Sequence, residues 1–207
     1  MFGKRADHIR GVPGLIRVMA ESGAFVLAAA VDHAMLDVTI GKITTPPHPI
    51  TAIPELYPLP EHIDDLIVNP PLPADLQSSQ SAIELAEAVA TDMQNRGHPG
   101  TIVFVTPIER TGPGGSIAAF LRGEMENLAA RLAPNAIRVN AVATGPVGST
   151  RRGQPQSHRA TPLGHVTVHP VDVGKAVWFL VNSGLSAAVT GTTLRVDRGA
   201  AVVRPDW

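Results

Sequence analysis

Three groups of residues in this chain of 207 have types and spacings that could do chemistry. His165 and His169 stand four apart with Asp172 close behind, a set that would suit a zinc ion if the segment were helical, because residues i and i+4 share a helix face. Pro162, Gly164 and Pro170 interrupt that segment, so the reading is a loop and no metal site is expected. Arg151, Arg152, His158 and Arg159 crowd a polar stretch and could clasp a phosphate or a carboxylate, the alternative being a solvated loop. Tyr57 is the single tyrosine, and it could anchor its loop or a partner surface. A phenol becomes an effective proton donor when a cation one helical turn away favours the phenolate. The fourth residue after Tyr57 is Glu61, and none of the three lysines follows it at that spacing. No two of the 19 glycines are four apart, so GxxxGxG is absent, and GxGxxG is absent as well. The usual glycine cradles for a pyrophosphate at a helix amino terminus are therefore missing. GxSxG, Walker and HExxH motifs do not occur either.

The elements that would position such groups alternate. An apolar stripe at Leu15, Ile16, Val18 and Met19 predicts a short helix that stops at Gly23, and Phe25–Val31 reads as a buried strand. Thr44–Pro60 carries six prolines, too many for a regular helix or a central strand, and is expected to be an irregular loop. Strands are expected at Ile63–Asn69, Thr101–Thr106, Ile137–Ala143 and Thr192–Val196. Helices are expected at Ser78–Asn95, Ile117–Leu132 and Val171–Val181, with a chain break at Gly112–Gly115 before the second of them. Strands and helices in alternation argue for βαβ units and a parallel sheet covered on both faces.

Composition narrows the setting. Seventeen basic and 18 acidic side chains leave a formal charge of −1 with no long charge run, which gives no electrostatic reason to expect nucleic acid or an anionic membrane as partner. The longest apolar stretch, Ala24–Val31, falls far short of the roughly 20 residues needed to span a bilayer. Met1–Arg10 mixes charges and does not read as a signal peptide. With no cysteine there is no disulfide, thiolate site or cysteine nucleophile. The expectation is a single-domain cytoplasmic protein spanning 1–207, with a proline-rich loop at 44–60.

Several segments carry a family signature. Gly100-Thr-Ile-Val-Phe-Val-Thr106, Asn127-Leu-Ala-Ala-Arg-Leu-Ala133 and Ile137-Arg-Val-Asn-Ala-Val-Ala-Thr-Gly-Pro-Val147 are followed by Pro162-Leu-Gly164, Val171-Asp-Val173, Trp178-Phe-Leu180 and Thr190-Gly-Thr-Thr-Leu-Arg-Val-Asp197. In order these resemble the strand before the catalytic serine, the catalytic helix, the next strand and turn, the segment after the substrate lid and the terminal strand of the short-chain dehydrogenase/reductases. Thr144 stands for a usual proline and Arg198 for the first of two paired glycines. Weaker likenesses lie at Ile63–Pro71 and Gly14–Ala24. The resemblance implies a Rossmann-like, doubly wound α/β sheet, here expected to be truncated at the amino-terminal strand.

It also implies a nicotinamide cofactor and an asparagine, serine, tyrosine and lysine set, against which this chain departs. Counting back from Leu128 puts the tyrosine position at Ala118 and the lysine position at Arg122; the serine falls near Thr106, with Val105 as the neighbour, and the asparagine near Ser78. Alanine has no proton to give, and one hydroxyl at Thr106 does not make an active site. Arginine replaces the lysine in the related halohydrin dehalogenases, but those keep the tyrosine; the plainer reading of Arg122 is an ion pair with Glu126 at i+4. No catalytic, cofactor or metal site is therefore expected. The function implied is a non-catalytic subunit that assembles with, and stabilises or regulates, an intact NAD(P)-dependent dehydrogenase. Alternatives are an enzyme of altered non-redox chemistry (cyclase, lyase or isomerase) in the old substrate cleft, or an active oxidoreductase with an unrecognised site. Family oligomers pack their two long helices against a neighbour, which here implicates 78–95 and 117–132, with Ala86, Ala90, Ala118, Ala119 and Ala129 small enough to let another copy approach.

Overall fold

The structure is a computed structural model, and it describes residues 12–22, 26–28, 50–52, 63–70, 76–108, 113–148, 161–164 and 166–202. Four strands form one parallel sheet in the order β3 (Asp65–Val68), β4 (Gly100–Pro107), β5 (Ile137–Thr144) and β6 (Thr193–Val196). Two three-residue strands, β1 (Val26–Ala28) and β2 (Ile50–Ala52), pair in parallel as a second sheet. The helices are α1 (Val12–Glu21), α2 (Leu76–Arg96), α3 (Pro113–Leu132), α4 (Pro170–Val181) and the single turn α5 (Ser183–Ser186), with a 3-10 turn at Ala133–Asn135.

The apolar runs of β4 and β5 explain the double winding. Side chains alternate across a strand, so a run without polar interruptions has to be covered on both faces. Ile102 and Phe104 of β4, with Val139 and Ala141 of β5, pack under α2 and α3 against Ile83, Ala86, Leu121, Met125 and Leu128. Val103, Val105 and Val142 point the other way, into a layer that holds Met19 of α1 and Val173, Val177 and Leu180 of α4. Burying a side chain of this size contributes about 1.5–3 kcal/mol. These layers therefore hold the sheet's carboxyl-terminal and amino-terminal ends at fixed places, which is what any site needs. Gly100 opens β4 because a Cβ there would lie 2.6 Å from the Met93 sulfur and 3.0 Å from the Asp64 carbonyl.

The expected α/β architecture is present, and four details differ. The proline-rich stretch is not wholly irregular, because Ile50–Ala52 fits between Pro49 and Pro54 and pairs with β1. The break at 112–115 is shorter than expected: α3 starts at Pro113, whose missing N–H costs nothing in a first helical turn. The short helix α5 has no sequence signal of its own. Finally, four of the five alanines expected at an interface serve this chain's own core: Ala86, Ala90, Ala118 and Ala129 are 0–3% exposed, and only Ala119 lies on the surface. Small residues there let α2 and α3 lie close to the sheet and to each other. The expected loss of the first strand concerns residues 1–11, and Tyr57 and residues 53–60 lie, like them, outside the described residues.

Candidate functional site

In a parallel α/β sheet, ligands are held beyond the carboxyl ends of the strands. At that pole Thr106 of β4 stands in register with Ala143 of β5 and is 5% exposed. Thr144, in the usual proline position, donates its hydroxyl to the Thr106 carbonyl at 3.3 Å, and Ile108 N–H donates to the Thr144 carbonyl at 3.0 Å. These bonds fasten the end of β4 to the end of β5. Gly145 N–H then donates to Val196 O at 3.1 Å, and a Cβ at Gly145 would come within 2.9 Å of the Asp197 Cα, so only glycine lets β6 close on the turn.

Asp197 organises the last turn by accepting from Gly199 N–H at 2.9 Å and Ala201 N–H at 2.8 Å. Arg198 adopts φ 53°, a left-handed conformation that a glycine takes without strain. Its Nη1 donates to Leu163 O at 3.0 Å, and Leu163 N–H donates back to Arg198 O at 3.1 Å. The arginine in place of glycine thus ties the Pro162–Gly164 turn to the end of β6.

The residues expected from sequence fall as follows. Ala118 is buried on α3 at 2% exposure and presents a methyl group. Arg122 is on the outer surface of the same helix and pairs with Glu126 at 3.5 Å, the plainer of its two readings. Ser78 is half-buried on the first turn of α2. Val105 faces the layer under α4, away from Phe104. The structure brings Thr106 and Thr144 together and sets no proton donor beside them among the residues counted from the resemblance. Helix α3 as a whole, Pro113–Leu132, contains no tyrosine and no lysine, so this result holds for any register of the count.

His169 serves the fold: its Nδ1 accepts from Val171 N–H at 3.3 Å and caps α4, with Asp172 in the favourable first turn. Among the described residues no cluster of three or more potential metal ligands occurs. His165, Arg151, Arg152, His158 and Arg159 lie outside the described residues.

The fold's usual cofactor requires unobstructed backbone N–H groups at the amino terminus of the first helix. Here α1 opens Val12-Pro13-Gly14, and Pro13 removes one of the donors that would face a pyrophosphate. Together with the absence of GxxxGxG, this opening does not fit the family's dinucleotide grip.

Two features at other places have no counterpart among the sequence expectations. Ser79, beside Ser78, is fully buried and its hydroxyl has no hydrogen-bond partner among the described residues. At the opposite pole of the sheet, Asp65, Thr101 and Arg138 sit side by side in register across β3, β4 and β5. Arg138 Nη2 donates to the Thr101 hydroxyl at 2.8 Å, and Asp65 is the register partner of Thr101 on the other side. Arg138 also donates to the carbonyls of Leu180 at 2.7 Å, Ser186 at 3.1 Å and Val181 at 3.2 Å. Asp65 is exposed by surface area, yet enough protein crowds its carboxyl that burial is the largest influence and pushes its pKa up to about 6, with Asp64 adding to the rise and Thr101 and Arg138 opposing it.

Comparison with known proteins places the fold. Residues 76–201 match the family described as enoyl-(acyl carrier protein) reductase. The chain belongs to this family, within the short-chain dehydrogenases/reductases. Its structure is similar to that of a protein described as a betaketoacyl-ACP reductase, with 26% identity, a TM-score of 0.73 and coverage of 92% of this chain and 93% of that one. It is also similar to acetoin dehydrogenase from Salmonella typhimurium, at 20% identity and a TM-score of 0.77 with 97% of each chain covered. A short-chain type dehydrogenase/reductase from Mycobacterium marinum matches at 21% identity and a TM-score of 0.73, covering 92% of this chain and 90% of that one. No curated protein matches the chain. Among the described residues no helix is long and apolar enough to cross a membrane.

Proposed function

We propose that this chain is a non-catalytic member of the short-chain dehydrogenase/reductase family that assembles with an intact NAD(P)-dependent dehydrogenase and stabilises or regulates it. The observation that carries this reading is the chemistry of α3: the helix that resembles the family's catalytic one has neither tyrosine nor lysine along its 20 residues, while the core around it is fully built. A scaffold kept without its proton donor is a scaffold kept for its surfaces. The outward faces of α2 and α3 are the surfaces we assign to the partner. They carry Glu84, Glu87, Arg122, Glu126 and Arg131, with Arg131 and Glu87 joined across the helices at 2.6 Å. A polar face of this kind suits a partner of complementary charge pattern, since rim charges choose partners more than they add affinity.

The test is co-expression of the chain with short-chain dehydrogenases from the same source, followed by purification through a tag on one member. Stable co-purification, weakened by the double variant Glu84→Arg/Glu87→Arg, is the expected result. A chain that purifies alone as a stable assembly and joins none of them contradicts the subunit role.

A further inference from the structure

Residues with a Cβ enter the left-handed backbone region at a cost, and among the described residues only Ala136 and Arg198 take it without being glycine. Ala136 closes the 3-10 turn after α3, where its N–H donates to Ala133 O at 3.0 Å. Arg198, at φ 53°, stands beyond β6 and next to Gly199, which is left-handed at 81°. We propose that Arg198 is a strained clasp, holding a strap made of residues 161–164 and 166–168 closed over the carboxyl ends of β5 and β6, and that the strap opens locally while the sheet stays folded.

The strap's two ends are seated firmly. Val168 N–H donates to Pro146 O at 2.8 Å and Gly148 N–H donates to Val168 O at 3.0 Å, which fastens one end to the chain just beyond β5. Thr161 Oγ1 donates to Val166 O at 2.9 Å, and Thr161 and Val168 are 0% and 1% exposed. The turn between them is held differently. Pro162, Leu163 and Gly164 are all exposed, so the two bonds that join Leu163 to Arg198, rather than apolar burial, tie the turn to the end of β6.

The clasp works against its own backbone. Gly164, on the other side of the contact, is left-handed at φ 80° without strain, and a glycine at 198 would be as well. The arginine bears the strain and gains one exposed hydrogen bond, while its Nε is buried with no hydrogen-bond partner among the described residues. Left-handed strain and a single exposed bond are of similar size, so the closed state is held by a small margin. Strain of this kind collects in segments that switch. The strap lies at the pole where parallel α/β sheets hold ligands, so its opening changes access to that pole.

The experiment follows amide hydrogen exchange of the full chain by NMR in the parent, Arg198→Ala and Arg198→Gly. The reporter is the Leu163 N–H, which donates to the Arg198 carbonyl, a backbone bond that neither substitution removes. In the parent its exchange is expected to stay constant in low urea while amides of β4 and β5 speed up, because local opening exposes little surface. Arg198→Ala keeps the strain and loses the guanidinium, so Leu163 is expected to exchange about threefold to tenfold faster, as the loss of one hydrogen bond implies. Arg198→Gly loses the same bond and the strain with it, so its Leu163 is expected to exchange within about threefold of the parent and more slowly than in Arg198→Ala. Leu163 exchange that follows urea in step with β4 and β5, no acceleration in Arg198→Ala, or equal acceleration in both variants overturns the proposal. None of these outcomes bears on the subunit role, which concerns the outward faces of α2 and α3.

Discussion

The guanidinium of Arg138 and the hydroxyl of Thr101 meet at 2.8 Å across the β4–β5 ladder, where their backbones are register partners. The same guanidinium, through its bonds to the Leu180, Val181 and Ser186 carbonyls, fastens the ends of α4 and α5 to the amino-terminal ends of the two central strands. Arg138→Met leaves the Val181 carbonyl without its side-chain donor, while Leu180 O and Ser186 O keep the Ser186 hydroxyl and the Val189 N–H, and an unsatisfied buried acceptor costs about 1–3 kcal/mol. A loss of about 1–3 kcal/mol in urea denaturation is expected on that basis, and Arg138→Lys is expected to recover little of it, because a point ammonium cannot reproduce the planar fork. A variant as stable as the parent would show that the fork is dispensable.

Asp65 sets a pH dependence whose sign follows from its raised pKa. The folded chain holds the Asp65 proton more tightly than the unfolded one, so this group's stabilising effect is complete below about 3.8 and is lost as pH rises through about 6. Asp65→Asn, which keeps the shape of the side chain, removes that titration. The variant's stability relative to the parent should rise between pH 4 and pH 7 in denaturation curves taken across the range. Parallel curves, or a parent that gains on the variant, would contradict the assignment.

Ser79 buries a hydroxyl that nothing among the described residues satisfies. Ser79→Ala removes the polar atom with little change of shape and improves helix propensity in α2. A gain of about 1 kcal/mol or more in the same denaturation assay is expected, from the cost of an unmade hydrogen bond. A loss instead would mean that the hydroxyl has a partner in solution.

Arg122 bears on whether the old catalytic helix keeps any chemistry. Its pairing with Glu126 is solvent-exposed, and exposed pairs contribute about 0–1 kcal/mol. Arg122→Ala should therefore change stability by less than about 1 kcal/mol and should leave the chain's ligand binding as it was. Altered binding of a small molecule in this variant would favour a non-redox enzyme.

Much of the fold is legible in the sequence because the strongest periodic signals are local. The apolar runs at 101–106 and 137–143 and the stripe through Ile83, Ala86, Val89 and Met93 announce central strands and an amphipathic helix without outside help. Strand β2 gives no such signal, because its three residues lie among prolines and its hydrogen bonds come from a strand 24 positions earlier in the register. At the candidate site, the lack of a proton donor is legible because it is a matter of residue type. What sequence does not show are relations across strands: Arg138 finds its acceptors 37 to 48 residues away in Thr101, Leu180 and Ser186, and Asp65 joins it only through strand register. The facing of the alanines is hidden for a related reason, since a small residue suits an interface within one chain as well as one between chains.

The most direct test of the central claim is a calorimetric titration of the purified chain with NADH and with NADPH. The absence of GxxxGxG, the proline in the first turn of α1 and the missing tyrosine and lysine of α3 together lead to the expectation of no saturable binding of either. Saturable micromolar binding of one of them would contradict the non-catalytic role and return the chain to the active reductases.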